Sequence, residues 1–538
     1  MLRLLGCALL LASAPALAID LVLHNGKVWT GDPTRPTASA VAIDDGRITA
    51  VGNDADILAL ADAGARRIDL AGRRVVPGIN DAHVHLGAWW QSSYLALPSP
   101  DPDRAELEDA LGAQPKDGDG WLSASIGAKV LEDPGFTIAS LDALQPTRPV
   151  ILMAMTGHGT MVNSAARRAL GIDPGAPVPG GWYGKDADGN FDGRLYEYAQ
   201  WRMRATQPPL PDAAEVTAIQ AHAREALEAG TTSLQVMTML PAERFVALWQ
   251  QSGMPQRLRL IRLPIPAAFG DPVDGAGLPR EVAGSPRIRV SGTKWILDGT
   301  PLEHGAALRS PYPGTNTSGH LNFDEPQIEQ LLREIIARDD QPLLHVSGDA
   351  TAAAVLDAMA AVAPAEAWRK RRLRMEHGDG LRGDLVARAR DYGVVVVQNP
   401  SHFALAPNAF IAGNLLSGFL DAGIPLALGS DGPPNPWLNM MWAVQVPYGS
   451  PRQALDREQV LRAYTAGSAY AEFAEDTKGR LAPGYVADLA VLSQDVLDDA
   501  VPVEALPATT SLLTVIDGEI AWRDPAFGTE TAETAAAR

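Results

Sequence analysis

The stretch "PGINDAHVHLGAWW", residues 77–90, follows the apolar run "RRVVPGI" and places two histidines one residue apart. The whole chain has only ten histidines in 538 residues, so this close pairing of His83 and His85 requires an explanation. Side chains two positions apart on a β-strand point to the same face. The stretch therefore predicts a buried strand whose end presents two imidazoles to one point in space.

Seven further apolar runs, most of them preceded by a helix-like segment, repeat this pattern along the chain. They are "GTTSLQVMT", "RLRLIRLPI", "RIRVSGTKWILDGT", "PLLHVSGDA", "RLRMEHGDG", "GVVVVQNPSHF" and "IPLALGSDGPP". Before the fourth of these runs, Asp324 can cap a helix that has Pro326 in its first turn. Eight strands alternating with helices predict a (β/α)8 barrel of the TIM type. An open doubly wound sheet is the alternative, but no glycine-rich phosphate loop follows the first strand.

The two ends of the chain predict a smaller β domain. Apolar runs there are interrupted by three hairpin signals, Asn25-Gly26, Asp45-Gly46 and Asp517-Gly518. We therefore expect residues 19–76 and 480–538 to form one small β-sandwich domain, and residues 77–479 to form the barrel. Residues 91 to about 210 are rich in proline and glycine and predict a subdomain inserted after the first barrel strand.

Further residues with metal-binding capacity lie at the later predicted strand ends. His345 ends the fifth strand, His377 the sixth and Asp431 the eighth. Because the C-terminal strand ends of a barrel converge on one face, these side chains and the two of the first strand predict a metal site there. A histidine at a single strand end is more often structural, so the prediction depends on the whole set.

Lys294 lies in the predicted fourth strand, beside the apolar residues Trp295 and Ile296. An apolar environment lowers the pKa of a lysine. A neutral amine can add carbon dioxide to become a carbamate, whose two oxygens are suited to bridging two cations. The alternative interpretation is an ion-paired lysine with Asp298 as its partner.

Charge and cysteine content exclude several classes of function. The formal net charge is -19, and removal of Arg3 with residues 1–18 leaves 44 basic and 64 acidic residues, a net charge of -20. Such a surface repels nucleic acid and anionic membranes. Cys7 is the only cysteine, so disulfides and thiolate metal ligands are excluded from a chain that begins at residue 19.

Residues 1–18 predict a signal peptide. Arg3 precedes the apolar run "LLGCALLLASAPAL", and Ala16-Leu17-Ala18 fits a cleavage site after Ala18. The run is shorter than the roughly 20 residues of a membrane span, which argues against an anchor. We expect a secreted or periplasmic protein with no stable membrane insertion after cleavage.

The ordered motifs resemble the amidohydrolase superfamily, in its YtcJ-like branch (amidohydrolase family 3). The resemblance rests on "VVPGINDAHVHL", "GTKWILDGTP", "LLHVSGDAT", "LRMEHGD", "VVVVQNPSHF" and "LALGSDGPPNP", with "TGHGTMVNSAARRALGI" in the insertion and "GRLAPGYVADLAVL" at the return to the small domain. It spans essentially the whole chain after residue 18, and Asn80 is a small departure from the usual first-strand pattern.

The resemblance implies a centre of one or two divalent metal ions, usually zinc. By it, His83, His85 and Asp431 bind the more buried ion, and His345 with His377 holds the second. Lys294, carboxylated by carbon dioxide, bridges the two ions. The metal lowers the pKa of a bound water from 15.7 toward about 7, and the resulting hydroxide attacks the substrate. Asp431 passes the proton to the leaving group.

The implied activity is hydrolysis of a non-peptide C–N bond, such as an amide, N-formyl or cyclic amide group, in a small molecule. An ester or lactone hydrolase needs the same site, so that alternative stays open. A nucleobase deaminase is disfavoured because "HVSGDAT" lacks the glutamate that such enzymes keep after strand five. A non-catalytic periplasmic metal- or solute-binding protein is the alternative from another class. Oligomeric state is left open, with a homodimer as the candidate.

Four other residues are candidates for substrate contact or for support of the metal ligands. His158, Gln398 and His402 lie in family-like motifs, and Arg374 is expected to act through a salt bridge. Aromatic residues that could form a substrate pocket are Trp89, Trp90, Trp121, Trp182, Tyr183 and Trp442.

Overall fold

The computed structural model describes residues 19–87, 93–99, 101–207, 209–271, 273, 280–404, 416–445 and 453–528. Eight parallel strands form its central sheet, and neighbours in sequence are neighbours in the sheet. They are β1 (Ile79–Val84), β2 (Thr231–Thr238), β3 (Arg257–Arg262), β4 (Ile288–Ile296), β5 (Pro342–Val346), β6 (Arg374–His377), β7 (Val395–Gln398) and β8 (Leu426–Leu428). All eight correspond to predicted strands, and the predicted (β/α)8 barrel is confirmed.

The barrel is nearly closed between β8 and β1. Beyond the end of β8, the Asp431 N–H donates a hydrogen bond of 2.9 Å to the His83 carbonyl. Gly429 makes this approach feasible, because a Cβ atom there would lie 2.5 Å from the His83 backbone nitrogen. The two ends of the sheet therefore meet at residues that were singled out for metal binding.

Helices cover the outside of the sheet. The helix Glu325–Ala337 has the predicted Asp324 cap, which accepts a hydrogen bond from the Gln327 N–H and forms a full capping box. The other helices that precede or follow the later barrel strands are Asp212–Glu228, Ala242–Ser252, Asp349–Val362, Ala365–Arg371, Asp384–Tyr392, Leu416–Asp421, Pro436–Gln445, Arg457–Arg462 and Ser468–Ala471. Shorter turns of helix are Pro400–Ala404, the π-helical Ala463–Gly467, and Val503–Ala508.

Strands from both ends of the chain form two further sheets. The first sheet has the strand order Arg47–Gly52, Ala40–Asp44, Leu21–His24, Arg66–Asp69. The second sheet has the strand order Glu519–Arg523, Ser511–Ile516, Leu489–Leu492, Arg74–Pro77, Lys27–Trp29, Thr37–Ala38. The short helix Asp54–Leu58 belongs to the same region. One apolar cluster contains Leu23 and Val41 of the first sheet and Val75 and Leu513 of the second, so the sheets pack as a sandwich.

Two details of this region differ from the sequence-based expectation. The run "RRVVPGIN" holds two strands, because Arg74–Pro77 joins the small domain before β1 begins at Ile79. The Asn25-Gly26 turn connects strands in different sheets, so that predicted hairpin is wrong. Leu70 packs against Gly26, where a Cβ atom would lie 2.5 Å from a Leu70 methyl, so the turn is fixed by packing between sheets.

Residues between β1 and β2 form a third unit. Its six strands have the order Gly181–Lys185, Phe191–Glu197, Gly159–Val162, Val150–Ala154, Leu122–Ile126, Ser93–Leu95. Its helices are Arg104–Gly112, Ala128–Leu131, Ile138–Leu144, Ser164–Ala169 and Tyr198–Ala205. This sheet lies between the first two barrel strands in sequence, in the region where the sequence predicts an inserted subdomain.

Among the described residues, no single helix has the length and apolar character needed to cross a membrane, and one bent pair, Asp349–Val362 with Ala365–Arg371, meets that standard by length and composition alone.

Candidate metal centre

His83 in β1 and His85, just after its end, face one carboxylate at the seam of the barrel. The Nε2 atom of His83 lies 3.7 Å from Oδ2 of Asp431, and Nε2 of His85 lies 3.7 Å from Oδ1. Both separations exceed the roughly 3 Å of an N–H···O hydrogen bond. The imidazoles therefore surround the carboxylate without bonding to it.

The ends of β5 and β6 add two more imidazoles. Nε2 of His377 lies 3.8 Å from Oδ2 of Asp431, and the His377 ring centroid lies 5.1 Å from that of His83. The His345 ring is 4.5 Å from the His377 ring. His345 uses Nε2 for contacts with the Gly299 carbonyl at 3.3 Å and the Ser347 hydroxyl at 3.2 Å, which leaves Nδ1 to bind an ion.

The donor set fits a divalent metal ion. One donor atom each from His83, His377 and Asp431 lies within 4.8 Å of the other two. Burial lowers the pKa of His85 to about 4, and burial also holds the pKa values of His83 and His377 below their usual range. Neutral imidazoles keep the lone pairs that metal binding needs. Burial raises the pKa of Asp431, but His83 and other neighbours outweigh it and hold that pKa well below its usual range.

Lys294 of β4 is 1% exposed. Burial lowers its pKa to about 8, against the opposing effect of the Glu376 and Asp431 carboxylates. Asp298 accepts hydrogen bonds from the Ser347 and Gly348 N–H groups at 3.1 and 2.7 Å, and across the described residues no ion pair joins it to Lys294. The alternative of a Lys294–Asp298 ion pair is therefore wrong.

Two of the candidate ligands have an unusual backbone. His377 has φ 65° and Asp431 has φ 40°, values that residues with a side chain rarely adopt. Such strain persists only where the surrounding structure imposes it, and it concentrates at functional sites. The strain therefore supports a functional role for these two positions.

Glu376, which sequence reasoning missed, holds His83 from behind. Its Oε2 lies 2.8 Å from the His83 Nδ1 atom. Arg374 donates two hydrogen bonds to the Glu376 carboxylate, of 2.7 and 3.0 Å, and both side chains are fully buried. Arg374 thus forms a salt bridge with Glu376, which contacts the candidate ligand His83. The sequence did contain a signal for this contact. Arg374 and Glu376 are two positions apart on β6, so their side chains lie on the same face of the strand.

Asp81 supports the other side of the seam. It accepts hydrogen bonds from the Ser430 N–H at 2.9 Å and the His83 N–H at 3.2 Å. Burial raises the pKa of Asp81 to about 6. These bonds fix the backbone on which His83 and Asp431 are carried.

His158 reaches the site from the insertion. Its ring centroid is 4.7 Å from that of His345, and its Nδ1 is 3.0 Å from both carboxylate oxygens of Glu197. Burial lowers the pKa of His158, but Glu197 outweighs burial and raises it. Asn322 donates a 3.0 Å hydrogen bond to the same carboxylate. No sequence signal marked Glu197, because its partners are brought together only by folding.

The two other candidates make mainly backbone contacts. Gln398 donates a hydrogen bond to the His377 carbonyl, and His402 Nε2 lies 3.0 Å from the Asp431 carbonyl. His402 Nε2 is also 3.9 Å from Oδ2 of Asp431. Both side chains therefore contact residues that carry the candidate ligands.

An open cavity of about 800 Å³ begins at His85 and extends under the insertion. Trp121, Met237, Met239 and Leu240 are among the residues that line it. Of the other aromatic candidates, Trp182 packs on Tyr196 and His320, Tyr183 packs on Phe191, and Trp442 lies in helix Pro436–Gln445. Trp89 and Trp90 lie outside the described residues.

Comparisons with known proteins give a matching family model and several similar proteins. A family model described as "Amidohydrolase family" matches residues 66–521. The chain is 26% identical to "Putative amidohydrolase YtcJ" of Bacillus subtilis, over 93% of this chain and 99% of that protein. It is also 26% identical to "N-substituted formamide deformylase" of Arthrobacter pascens, over 93% of this chain and 97% of that one. An uncharacterized metal-dependent hydrolase from Pyrococcus furiosus has a similar fold, with TM-score 0.66, 23% identity, and coverage of 89% of this chain and all of the other.

Proposed function

The chain belongs to the amidohydrolase family and is a metal-dependent hydrolase of carbon–nitrogen bonds other than peptide bonds, and from this premise we propose that it hydrolyses an amide, N-formyl or cyclic amide group of a small molecule. The observation that carries the proposal is the convergence of His83, His377 and Asp431 at the C-terminal end of the barrel. The similarity to a formamide deformylase supports this choice of bond.

Five side chains and a modified lysine would hold the metal. His83, His85 and Asp431 would bind the more buried ion, and His345 and His377 the second. Lys294, as its carbamate, would bridge them, since it is buried among these residues with a lowered pKa. A divalent ion such as Zn²⁺ supplies Lewis-acid activation of water and of the substrate carbonyl.

Asp431 is the proton carrier of the proposal. Its carboxylate is ionised at neutral pH, because the neighbouring groups hold its pKa well below its usual range. It can accept the proton of the attacking water and then donate it to the leaving nitrogen. The hydrogen bond from its own N–H to His83 and the contact of His402 with its carbonyl hold it in place.

The cavity beside His85 is proposed as the route and pocket for substrate. Its volume of about 800 Å³ suits a small molecule. Its largely apolar lining, with Trp121 and Met237, would hold the organic group attached to the scissile bond. His158 lies across the site against His345, where it can contact the substrate.

The first test is the metal-to-protein ratio of the purified protein by plasma mass spectrometry, followed by a panel of matched substrates. A ratio near two supports the Lys294 bridge, and a ratio near one favours a mononuclear site of His83, His85 and Asp431. We expect cleavage of N-formyl, linear or cyclic amides that is lost on chelation and restored by Zn²⁺. A faster reaction with the matched ester would favour the ester hydrolase instead. No metal and no turnover after metal addition would refute the proposal.

Export is a separate part of the proposal. The support is the sequence of residues 1–18, with Arg3 before an apolar run and Ala16-Leu17-Ala18 at its end. Expression of the full chain in a Gram-negative host should give periplasmic protein that begins at Ile19. Cytoplasmic protein with an intact N-terminus would contradict export.

A further inference from the structure

A cavity of about 620 Å³ lies at the end of the barrel opposite to the metal centre. It is lined by residues of β3 and β4 and by residues just before β5 and β6, which places it at the N-terminal ends of the strands. Its basic lining residues are Arg259, Arg280, Arg289, Lys370 and Arg371. So much positive charge in one cavity is unexpected in a chain with a net charge of -19.

The acidic residues of the lining do not balance these cations. Asp339 is shared by two arginines, Arg280 at 3.0 Å and Arg371. Lys370 pairs with Glu366 at 3.0 Å. The remaining acids, Asp340 and Glu472, pair with Arg262 and Lys478, which are not lining residues. Within the described chain this leaves Arg259, Arg289 and one of the two arginines on Asp339 without a carboxylate of their own.

Arg259 is held in position by neutral groups. It is 3% exposed, and its guanidinium donates to the side-chain oxygens of Gln341 at 2.6 Å, Ser291 at 3.1 Å and Gln235 at 3.4 Å. Burial, with the nearby Arg374, lowers its pKa to about 9. A buried cation among neutral dipoles gains more from an anion than an exposed one does.

Arg289 is the rim residue with unused hydrogen-bonding capacity. Its Nε atom is buried without a hydrogen-bond partner, and among the described residues no carboxylate lies within ion-pair distance of its guanidinium. Buried polar atoms are nearly always satisfied, so this one needs a partner. An arginine fork binds the oxygens of a phosphate or carboxylate in a bidentate manner.

We propose that this cavity binds a phosphate group, as inorganic phosphate or as a small phosphate monoester, through Arg259, Arg289 and the arginines on Asp339. The three cations left without a carboxylate of their own match the charge of a phosphate dianion better than that of a single carboxylate. The volume exceeds what a phosphate alone fills, and Phe473, which is 42% exposed, offers an apolar surface for an organic group. The site is independent of the proposed hydrolysis.

The test is isothermal titration calorimetry of the metal-loaded, full-length protein with inorganic phosphate and with phenyl phosphate at constant ionic strength. We expect saturable binding that Arg289→Gln weakens about tenfold or more, because a charge-assisted pair is lost. Arg280→Gln, at an exposed position, should weaken binding several-fold and serves if Arg289→Gln does not fold. Arg333→Gln removes the same charge from an outer helix, where Arg333 pairs with Glu329, and should leave binding unchanged.

The two ligands distinguish the two sources of phosphate. Tighter binding of phenyl phosphate identifies a monoester site, and equal binding identifies a site for the free ion. Absence of saturable binding would overturn the proposal. Binding that persists unchanged in both Arg289→Gln and Arg280→Gln would also overturn it, since the anion would then lie elsewhere, for example at the metal centre.

Discussion

The two ends of the barrel both bury charged side chains, but they satisfy them differently. At the N-terminal end, Glu472 bonds Lys478 and the Asn80 amide, each at 2.7 Å. At the C-terminal end, the nitrogens of His83, His85 and His377 stop 3.7 to 3.8 Å from the Asp431 oxygens. Protein partners complete the contacts of Glu472, whereas the imidazoles around Asp431 leave room for a metal ion. Contact distance, more than burial, therefore distinguishes a structural polar core from a metal site.

A hydrogen-bonded chain joins the two ends. The side-chain Oε1 atom of Gln235 accepts hydrogen bonds from Arg259 at 3.4 Å and from Arg374 at 2.5 Å, and Arg374 in turn holds Glu376 against His83. The arginine-lined cavity and the candidate ligand His83 are thus the ends of one polar network through the barrel.

The largest expected effect comes from Asp431→Asn. An amide cannot carry the proton from water to the leaving group, so turnover should fall about 10²–10⁴-fold while some metal stays bound. Steady-state kinetics together with metal analysis checks this. A near-normal rate would remove Asp431 as proton carrier.

The second prediction compares substitutions of two buried lysines, one at each end of the barrel. Lys294→Met should lose one metal ion and most activity, with little loss of stability, because it removes no ion pair within the described residues. Lys478→Met should lower the melting temperature and leave the metal content unchanged, because it strands Glu472 in the core. Full metal content in Lys294→Met would refute the bridge.

The fold could be predicted because each barrel strand is a buried apolar run of its own. "GVVVVQNPSHF" and "PLLHVSGDA" need no long-range information to be recognised as strands, and the rule that strand ends converge then brings His345 near His377. Each candidate ligand could therefore be predicted from the sequence of its own strand.

What the sequence did not show depends on contacts between distant segments. Glu197 meets His158 from 39 positions away and Asn322 from 125 positions away, with no local pattern to mark either. The Asn25-Gly26 turn has a hairpin sequence, but the packing of Leu70 sends its two strands into different sheets. In the case of this turn, tertiary contacts overrode the local preference.

The third prediction, with a smaller expected effect, compares substitutions of the two buried glutamates Glu376 and Glu472. Glu376→Gln should weaken metal affinity roughly 10- to 100-fold, because its carboxylate orients His83. Glu472→Gln should leave metal affinity unchanged. Both should cost stability, on the order of 3 kcal/mol, because each leaves a buried cation without its partner. Metal titration with a competing chelator and thermal melts separate the two effects, and equal metal affinity in both variants would contradict the role of Glu376.

The smallest effect concerns a histidine that belongs neither to the candidate metal centre nor to the arginine-lined cavity. His222 lies in helix Asp212–Glu228, and burial lowers its pKa from 6.5 to about 4, as burial also lowers the pKa of His85. The unfolded chain binds a proton at His222 at higher pH than the folded chain does. Its contribution to stability is therefore complete above about pH 6.5 and is lost progressively as the pH falls toward 4. His222→Gln should flatten this part of the profile of melting temperature against pH and leave metal content and turnover unchanged. If His222→Gln changed the metal content, His222 would itself be a metal ligand. A histidine with a lowered pKa would then be enough to mark a ligand, and the nearby carboxylate of Asp431 would not be the feature that distinguishes the metal site.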